Sequence, residues 1–382
     1  MLRFLDAGES HGKGMVTIVE GIPLGVALNA SSIEAELARR RLGYGRSARM
    51  SLEADRVEIW SGVRYGSTLG SPIAMLVANR ESGEFMRVER EGVVEPLTAP
   101  RPGHADLPGA LKYGTGDIRD ILERASARET VGRVCAGAVA KRLLLEMDIR
   151  VLSHVTAVGG ITREGGLRAP GLEEIAAADE DPMRCLDAEA SLRMRKEIDR
   201  AREEGDSLGG TFEVVAYGLP AGLGSHVHWD RRLDARLAAA VMSIQAIKGV
   251  EIGSGFRLAS MRGSQAMDTI HHGPGRGYFR GSNHAGGLEG GMTNSEPLVI
   301  RAAMKPIPTL ASGLESVDLI SKEKVEGVVE RADTCAVPAA GVIAEAMVAF
   351  VVADALLEKT GGDSLREVKG RYKEILAAQE RC

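Results

Sequence analysis

Two histidines lie in short polar turns that contain glycine. His11 lies in the run GESHG (8–12), and His104 lies in RPGHAD (101–106). Catalytic residues concentrate on loops that a rigid scaffold positions, and imidazole exchanges protons near neutral pH. The alternative is a solvated turn histidine without a chemical role. The sequence therefore predicts both histidines as candidates for proton transfer, with that alternative open.

Five arginines lie close together near the N-terminus: Arg39, Arg40, Arg41, Arg46 and Arg49. The planar guanidinium group suits carboxylate and phosphate. Arg39 and Arg41 end a predicted helix, so they could instead complement its dipole. Nucleic acid is a second alternative, but the net charge of −5 and the single nearby aromatic residue, Tyr44, argue against it. We therefore expect a pocket for small anions.

Glycine is concentrated between residues 273 and 291, where eight glycines occur in nineteen residues. For such stretches the general expectation is a flexible loop. The run GGLEGGMTN (286–294) is less ordinary, since two Gly-Gly pairs let the backbone pack tightly against a flat or anionic group. The chain has neither a GxGxxG after a strand nor a GxxxxGK[ST], so a Rossmann or Walker nucleotide site is unsupported.

Two further segments carry charges at predicted helix starts. The run LERASARET (122–130) alternates small and charged residues where free backbone N–H groups would face an anion. Its alternative is an ion-pair surface in which Arg124 and Arg128 face the neighbouring glutamates. Asp333, in RADT (331–334), precedes an apolar helix and could be a plain helix cap or dipole partner.

The remaining histidines and the cysteines give no metal-ligand pattern. His154 lies in a strand-like run and is interpreted as structural, and the pair His226-x-His228 alone is a weak signal. The cysteines are far apart and irregularly spaced: Cys135, Cys185, Cys335 and Cys382. This spacing favours neither a disulfide framework nor a zinc site, and it suits a reducing cytosol. We expect no bound metal.

Local patterns predict the elements that position these residues. Strands are expected at 15–20, 57–61, 73–78, 151–158 and 212–217, from runs of β-branched and apolar residues. Helices are expected at 31–41, 123–147, 192–204, 233–248, 339–359 and 365–380, the first with Ser31 as N-cap and Glu34 completing a capping box. The irregular mixture of strands and helices predicts an α+β fold.

The organisation expected is a single domain over 1–382, with a peripheral excursion near 163–187 and a C-terminal helix at 365–380. An apolar fraction of 44% is ordinary for a folded protein. The most apolar stretch, 336–357, is interrupted by Pro338, Glu345 and Asp354, so a buried helix is expected rather than a membrane span. The N-terminus has no signal-peptide pattern, which favours a cytoplasmic protein.

Nine motifs, taken in order, resemble the chorismate synthase family over about residues 1–358. They are GESHG (8–12), RRLGYGR (40–46), RPGHAD (101–106), ERASARET (123–130), GDSLGG (205–210), QAIKGVEIG (245–253), GGLEGGMTN (286–294), MKPIPT (304–309) and RAD (331–333). One departure is Ser295, which stands where a glycine is common directly after the run GGMTN (290–294). A match of this number and order is highly specific.

The resemblance implies the reaction and its cofactor. Members eliminate phosphate from 5-enolpyruvylshikimate 3-phosphate by a 1,4-elimination to give chorismate, the last common step toward the aromatic amino acids, and they require reduced FMN. The implied fold is a β-α-β sandwich in which helices pack between antiparallel sheets, and the implied assembly is a homotetramer. NADPH would be used only by a bifunctional member that reduces its own flavin; a separate flavin reductase would otherwise be a partner.

The resemblance also implies residue roles. His11 would protonate the leaving phosphate, His104 would protonate or stabilise the reduced flavin, and Asp333 would lie near the flavin. The substrate-binding residues implied are Ser10, Arg40, Arg46, Arg101, Ser126, Arg128 and Arg331. The residues implied to line FMN are Arg124, Ala125, Ser126, Gln245, Ala246, Gly290, Lys305, Pro306, Ile307, Pro308, Thr309 and Arg331.

Two other functions remain open at this point. An ordinary FMN oxidoreductase would need a docking site for a second redox substrate. A catalytically inactive anion-binding scaffold would keep the fold without the chemistry, although the presence of His11, His104 and Asp333 argues against it.

Overall fold

The computed structural model describes residues 1–47, 55–79, 95–164, 169–275, 277–329 and 333–381. The strands are β1 Arg3–Ala7, β2 Gly14–Glu20, β3 Val57–Ile59, β4 Val63–Arg64, β5 Ser67–Thr68, β6 Ile73–Ala78, β7 Arg150–Val158, β8 Ile161–Thr162, β9 Gly210–Tyr217, β10 Ile247–Ile252, β11 Ile270–Gly273, β12 Gly277–Arg280, β13 Leu288–Glu289, β14 Met292–Thr293, β15 Leu298–Met304, β16 Glu315–Val317 and β17 Lys324–Glu326. The α-helices are α1 Ala30–Arg41, α2 Asp106–Tyr113, α3 Arg119–Ala125, α4 Thr130–Leu145, α5 Leu172–Ala176, α6 Ala188–Glu203, α7 Leu233–Met242, α8 Gly263–Ala266, α9 Val337–Thr360 and α10 Leu365–Arg381.

The first sheet is antiparallel and has the strand order β1-β2-β6-β3. Strand β2 alternates as a half-buried strand should, because successive side chains point to opposite faces. Met15 and Val19 are buried, whereas Val16 and Ile18 are exposed. One face of this sheet therefore packs on the core and the other faces outward.

The second sheet is also antiparallel, with the order β10-β15-β9-β7-β8. Residues 212 to 216 of the central strand β9 are all buried. Its inward side belongs to the main core, and on the other side Val215 packs with Ile175 and Val299. Both faces of this strand are therefore covered, and its one charged residue, Glu213, is buried with its apolar neighbours.

Helices α1, α4 and α9 fill the space between the two sheets. Helix α4 contacts β2 on one side and α9 on the other, and α9 contacts β7 and β9. A helix that is apolar all round must be buried. Helix α9 is long and apolar enough to cross a bilayer, yet 94% of its most apolar 18-residue window is buried within the protein. The predicted buried helix and the α+β sandwich of helices between antiparallel sheets are confirmed.

The crossing of α4 and α9 depends on Gly137. A Cβ atom added at this position would lie 2.2 Å from the Cβ of Ala346 and 2.4 Å from its Cα. Only hydrogen fits in that space, so the backbones of the two central helices approach one another closely. Because these two helices cross so closely, a single layer of helices fills the space between the two sheets.

Three local predictions were wrong in detail. Helix α1 is capped by Asn29, whose side chain accepts from the backbone N–H of Ser32, and not by Ser31. The helix predicted over 123–147 is broken at Ser126, whose backbone is extended and whose hydroxyl accepts from the N–H of Arg128. The helix predicted over 233–248 ends at Met242, after which the chain turns into β10. Hydroxyl and amide side chains compete locally for backbone N–H groups, which explains the first two differences.

The end of the predicted excursion near 163–187 enters the core. Met183 and Cys185 are buried, and the fully buried Arg184 donates to Glu345 of α9 at 3.0 Å. Glu345 also pairs with Arg39 at 2.6 Å and with Lys141 at 2.5 Å. Arg39 therefore anchors the end of α1 to the central helix, which is a different role from the dipole partner that its position predicts.

Candidate active site

The turn that carries His11 is held by the side chain of Glu123, in the last turns of α3. One carboxylate oxygen of Glu123 lies 2.6 Å from Nδ1 of His11, and the other accepts from its backbone N–H at 2.8 Å. The main-chain carbonyl of Glu123 accepts from the N–H of Ser10 at 3.0 Å. Three hydrogen bonds thus join the Ser10–His11 turn to one residue that lies 112 positions away.

Ser10 also meets the break between α3 and α4. Its hydroxyl lies 3.1 Å from the hydroxyl of Ser126, which in turn accepts from the backbone N–H of Arg128. The amide of Asn79 donates to the main-chain oxygens of Ser10 and Gly12 at 3.1 and 2.8 Å. The two hydroxyls predicted to contact substrate therefore lie side by side on a turn whose backbone is fixed.

Arg40 and Arg128 converge on the buried carboxylate of Asp55. Arg128 pairs with Asp55 at 2.7 Å and donates to the side-chain oxygen of Asn79 at 2.9 Å. Arg40 lies 3.9 Å from Asp55 and donates to the hydroxyl of Thr130 at 2.9 Å. These contacts hold two rigid cations beside Ser10 and Ser126, as binding of an anion requires.

His104 belongs to a second cluster, built on the first turn of α2. Nδ1 of His104 lies 2.5 Å from the carboxylate of Asp106, which also accepts from Arg101 Nε at 2.8 Å and from the Arg101 backbone N–H at 3.1 Å. The side chain of Asp106 is 0% exposed. Burial alone would raise the pKa of Asp106, but the hydrogen bonds from His104 and Arg101 hold that pKa well below its usual value. Asp106 therefore stays ionised and fixes both neighbours.

The segment 305–309 packs against this second cluster. Lys305 donates to the carbonyl of Gly103 at 3.0 Å, and Arg101 donates to the hydroxyl of Thr309 at 3.3 Å. The GDSLGG run supports the segment from the other side. There, Ser207 donates to the carbonyl of Ile307 at 2.7 Å, and Gly209 lies against the backbone of Pro306.

Lys305 has a cationic neighbour that the sequence did not single out. Strand β10 is irregular at Lys248, between the pairs that Ile247 and Gly249 make with β15. Burial lowers the pKa of Lys305, and the nearby charge of Lys248 lowers it further. Lys248 and Lys305 therefore both bring positive charge to this part of the structure.

Gln245 and Ala246 connect the two histidine clusters. The carbonyl of Ala246 accepts from the N–H of Lys305 at 2.9 Å, in the second cluster. The amide of Gln245 donates at 2.8 Å to Glu129, which directly follows Arg128 of the first cluster. Ala246 has a backbone φ of +66°, which residues other than glycine rarely adopt. A chain of contacts therefore runs from His104 through Lys305 and Gln245 to the turn that holds Ser126.

Asp333 forms an ion pair with Arg46 rather than capping a helix. The two side chains lie 3.0 Å apart, and Asp333 also accepts from the backbone N–H of Ser47 at 2.7 Å. Helix α9 begins only at Val337, so the alternative of a helix cap was wrong. The carbonyl of Thr334 accepts from Leu208, which places this pair beside the GDSLGG run.

Comparison with known proteins assigns the chain to a family. A model of the chorismate synthase family matches residues 2–357. The chain is 54% identical over 379 residues to the chorismate synthase of Thermobifida fusca, covering 96% of each protein. It is 53% identical over 388 residues to that of Trichlorobacter lovleyi, covering 98% of this chain and 99% of the relative. The chain belongs to the chorismate synthase family.

The fold agrees with that assignment. A crystal structure of chorismate synthase superposes with a TM-score of 0.82 at 44% identity, covering 100% of this chain and 99% of the other. The likeness therefore covers the whole chain and not one part of it. The chorismate synthase fold expected from the nine motifs is therefore confirmed.

Not every residue predicted for the chorismate synthase site joins these clusters. Arg124 turns toward β1, where it pairs with Asp6 at 2.6 Å and donates to the carbonyl of Gly8. Ala125 is the last residue of α3, directly before Ser126. Gly290 lies in the β13–β14 hairpin, and the described contacts do not tie it to either histidine. Arg331 lies outside the described residues.

The structure adds partners that the sequence reading missed or misassigned. Glu123 was considered only as part of an ion-pair surface with the arginines of its run, but it holds His11, while Arg128 pairs with Asp55. Asp106 lies two residues after His104, and this short spacing was the one local signal available for its role. Asp55 gave no such signal, because its partners are distant in the sequence. Glu129 pairs locally with Arg133, but its contact with Gln245 is 116 positions away.

Proposed function

We propose that this protein converts 5-enolpyruvylshikimate 3-phosphate into chorismate and phosphate, as a carbon–oxygen lyase that requires reduced FMN. The observation that carries the proposal is the first cluster, where a histidine, two hydroxyls and two rigid arginines meet. The substrate carries a phosphate and two carboxylates, so its binding needs fixed cations and a proton donor. Membership of the chorismate synthase family supports the same reaction.

In this proposal Arg40 and Arg128 bind the anionic groups of the substrate. Their own contacts with Asp55 and Thr130 hold them in place before substrate arrives, which lowers the entropy cost of binding. Ser10 and Ser126 supply hydroxyl contacts beside them. Arg101 and the Arg46–Asp333 pair provide further charge at the second cluster and beside the GDSLGG run.

His11 donates a proton to the phosphate oxygen as the C–O bond breaks and negative charge develops there. His104, held by Asp106, provides a proton-exchanging group beside the flavin-lining segment 305–309. The C6 hydrogen of the substrate is not acidic enough for a simple side-chain base. When bound, reduced FMN supplies the electron density that side chains cannot.

Several features around Gln245 and Lys305 fit a bound FMN. Among the described residues the side-chain oxygen of Gln245 is buried without a hydrogen-bond partner, so it can accept from an N–H donor. Lys305 and Lys248 both contribute positive charge here, as suits a phosphate. A Cβ added at Gly290 would meet open space, so this backbone can be approached by a flat ring. These residues would hold the cofactor together with Thr309 and its segment.

The test is an anaerobic assay of the purified protein with 5-enolpyruvylshikimate 3-phosphate and photoreduced FMN, in which chorismate and phosphate are both measured. We expect equal amounts of the two products, and loss of about 10²-fold or more in turnover for His11→Ala, since general acid catalysis contributes about 10²–10⁴-fold. His228→Ala is the matched control, because His228 is an exposed histidine in a His–Asp pair outside both clusters.

The source of reducing equivalents is tested in the same assay. Product with prereduced flavin alone indicates a monofunctional enzyme that needs a separate flavin reductase, and product from NADPH with oxidised FMN indicates a bifunctional one. If folded, FMN-binding protein yields no product under either condition, the proposed function fails and an inactive anion-binding scaffold becomes the better description.

The assembly we propose is a homotetramer. The outer face of the first sheet supports association, because Leu5 is 70% exposed and Val16 and Ile18 are each 41% exposed on neighbouring strands. Contiguous apolar patches of this kind mark interaction surfaces. Light scattering of the native protein and of Ile18→Lys tests this: a tetramer that becomes smaller on substitution is expected, and a native monomer contradicts it.

A cytoplasmic location is proposed for the same protein. Cys135, Cys185 and Cys335 are buried free thiols, as suits a reducing compartment. Burial raises the pKa of Cys135 to about 12, so this thiol stays protonated and unreactive.

A further inference from the structure

The two candidate catalytic histidines share one arrangement. In both, Nδ1 faces a carboxylate: Glu123 for His11 at 2.6 Å, and Asp106 for His104 at 2.5 Å. Asp106 divides its hydrogen bonds between His104 and Arg101. Each of the two side-chain oxygens of Glu123 contacts His11, one at its backbone N–H and the other at Nδ1.

The geometry at His11 determines which ring nitrogen carries a proton. An ionised carboxylate accepts hydrogen bonds and donates none, so Nδ1 of His11 must carry the hydrogen that faces Glu123. Proton exchange with a ligand would then take place at Nε2. Donation from Nε2 takes place from the imidazolium form, which carries a hydrogen on both ring nitrogens.

The position of Glu123 is itself rigid. Its side chain is 14% exposed and that of His11 is 27% exposed, so Glu123 is more shielded from solvent than the ring that it holds. The second carboxylate oxygen is held by the backbone N–H of His11, and the main chain of Glu123 is held by Ser10. Rotation of the carboxylate away from Nδ1 would break two hydrogen bonds rather than one.

We propose that Glu123 is a positioning residue which keeps a hydrogen on Nδ1 of His11, so that the imidazolium form gives the proton on its Nε2 to the leaving phosphate. That the leaving phosphate accepts the proton rests on the proposed function. The transfer itself balances simply: the N–H bond at Nε2 breaks, an O–H bond forms on phosphate, and His11 is left neutral with its hydrogen on Nδ1. A side chain that only stabilised the fold would not determine the tautomer.

The structural test is magic-angle-spinning NMR of protein labelled with ¹⁵N-histidine, with His11 assigned by the signals lost in His11→Gln. We expect a protonated Nδ1 in the native protein. In Glu123→Gln the amide group can itself donate to Nδ1, so we expect a shift toward the Nε2–H tautomer. Glu123→Asp keeps the charge and should keep the native tautomer if its shorter side chain still reaches the ring.

The kinetic test uses the same variants with prereduced FMN. We expect Glu123→Gln to lower kcat by about 10²-fold while KM changes by about threefold or less, because general acid catalysis contributes about 10²–10⁴-fold. Glu123→Asp should recover part of that loss. Asp230→Asn, which removes the carboxylate from the exposed His228 pair at 2.8 Å, is the matched control and should leave kcat unchanged.

Two results would overturn the inference: a His11 tautomer that is the same in Glu123→Gln as in the native protein, or a changed tautomer with kcat unchanged. Failure of the proposed function looks different. In that case the native protein makes no chorismate, and a native-like tautomer in Glu123→Gln would still overturn the role of Glu123 on its own.

Discussion

Replacing Gly137 by alanine tests how closely α4 and α9 cross in the helical layer. The added Cβ would lie 2.2 Å from the Cβ of Ala346, 2.4 Å from its Cα and 2.7 Å from its carbonyl oxygen. Two of these three atoms belong to the backbone, so no rotation of a side chain can relieve the overlap. The helices must move apart or tilt.

The expected loss follows from that distance. Carbon atoms in contact lie about 3.5–4.0 Å apart, so the helices must separate locally by about 1 Å or more. Overpacking of a core costs about 1–3 kcal/mol, and an alanine in a helix recovers up to about 1 kcal/mol relative to glycine. We expect Gly137→Ala to lower the free energy of unfolding by about 1–2 kcal/mol.

Gly370→Ala is the matched control, because this glycine also lies within a helix, α10, and a Cβ added there meets no atom within 4 Å. The same substitution should therefore raise the free energy of unfolding by about 0.5–1 kcal/mol. Urea unfolding followed by far-UV circular dichroism, at one fixed protein concentration, measures both changes. If both variants were stabilised to a similar extent, the close crossing of α4 and α9 and the reasoning built on it would be refuted.

Three other substitutions have expected outcomes. Ser295 has φ of +74°, so Ser295→Gly should relieve backbone strain and raise the free energy of unfolding by about 0.5 kcal/mol, measured by urea unfolding; a loss would contradict this. Hydrogen bonds from His104 and Arg101 outweigh the effect of burial and hold the pKa of Asp106 below the ordinary 3.8. The stability that the ionised Asp106 contributes is therefore present above pH 3.8 and is lost as the pH falls through the pKa of the folded state. Asp106→Asn should therefore be less stable than the native protein at neutral pH, with a gap that narrows in acid; a gap independent of pH would count against this. Burial alone would raise the pKa of Glu345, but its three cationic partners lower that pKa well below 4.5. Removing one partner of a buried pair costs about 3–5 kcal/mol, so Glu345→Gln should unfold at a much lower urea concentration than the native protein at pH 7. Below pH 4.5 the urea midpoints of the two proteins should approach each other.

The elements that depend on local pattern were largely predictable. The strand expected at 73–78 matches β6, and the helix expected at 339–359 lies within α9, because alternation and continuous apolarity report directly on burial. Helix ends were less predictable. Ser126 interrupts a helical pattern from within, since its hydroxyl competes for a backbone N–H group that the pattern assigns to the helix.

The candidate site was predictable in its members but not in its pairings. The motifs supplied His11, Ser10, Ser126 and the arginines, whose chemistry alone indicates an anion and a proton. They did not indicate that Glu123 faces His11, since the two residues are 112 positions apart and no local rule connects them. The same holds for Arg46 and Asp333, which lie in different segments of the chain.

The sequence by itself determined which side chains are available and which segments must be buried, because residue type and periodicity are local properties. The tertiary structure alone decided which carboxylate faces which cation or imidazole. That choice depends on how closely α4 and α9 cross and on where the sheets place the ends of β1, β6 and β10. Hydrogen bonds and ion pairs act over about 3–4 Å, so shifts of about an ångström in packing determine whether Glu123 reaches His11 at all.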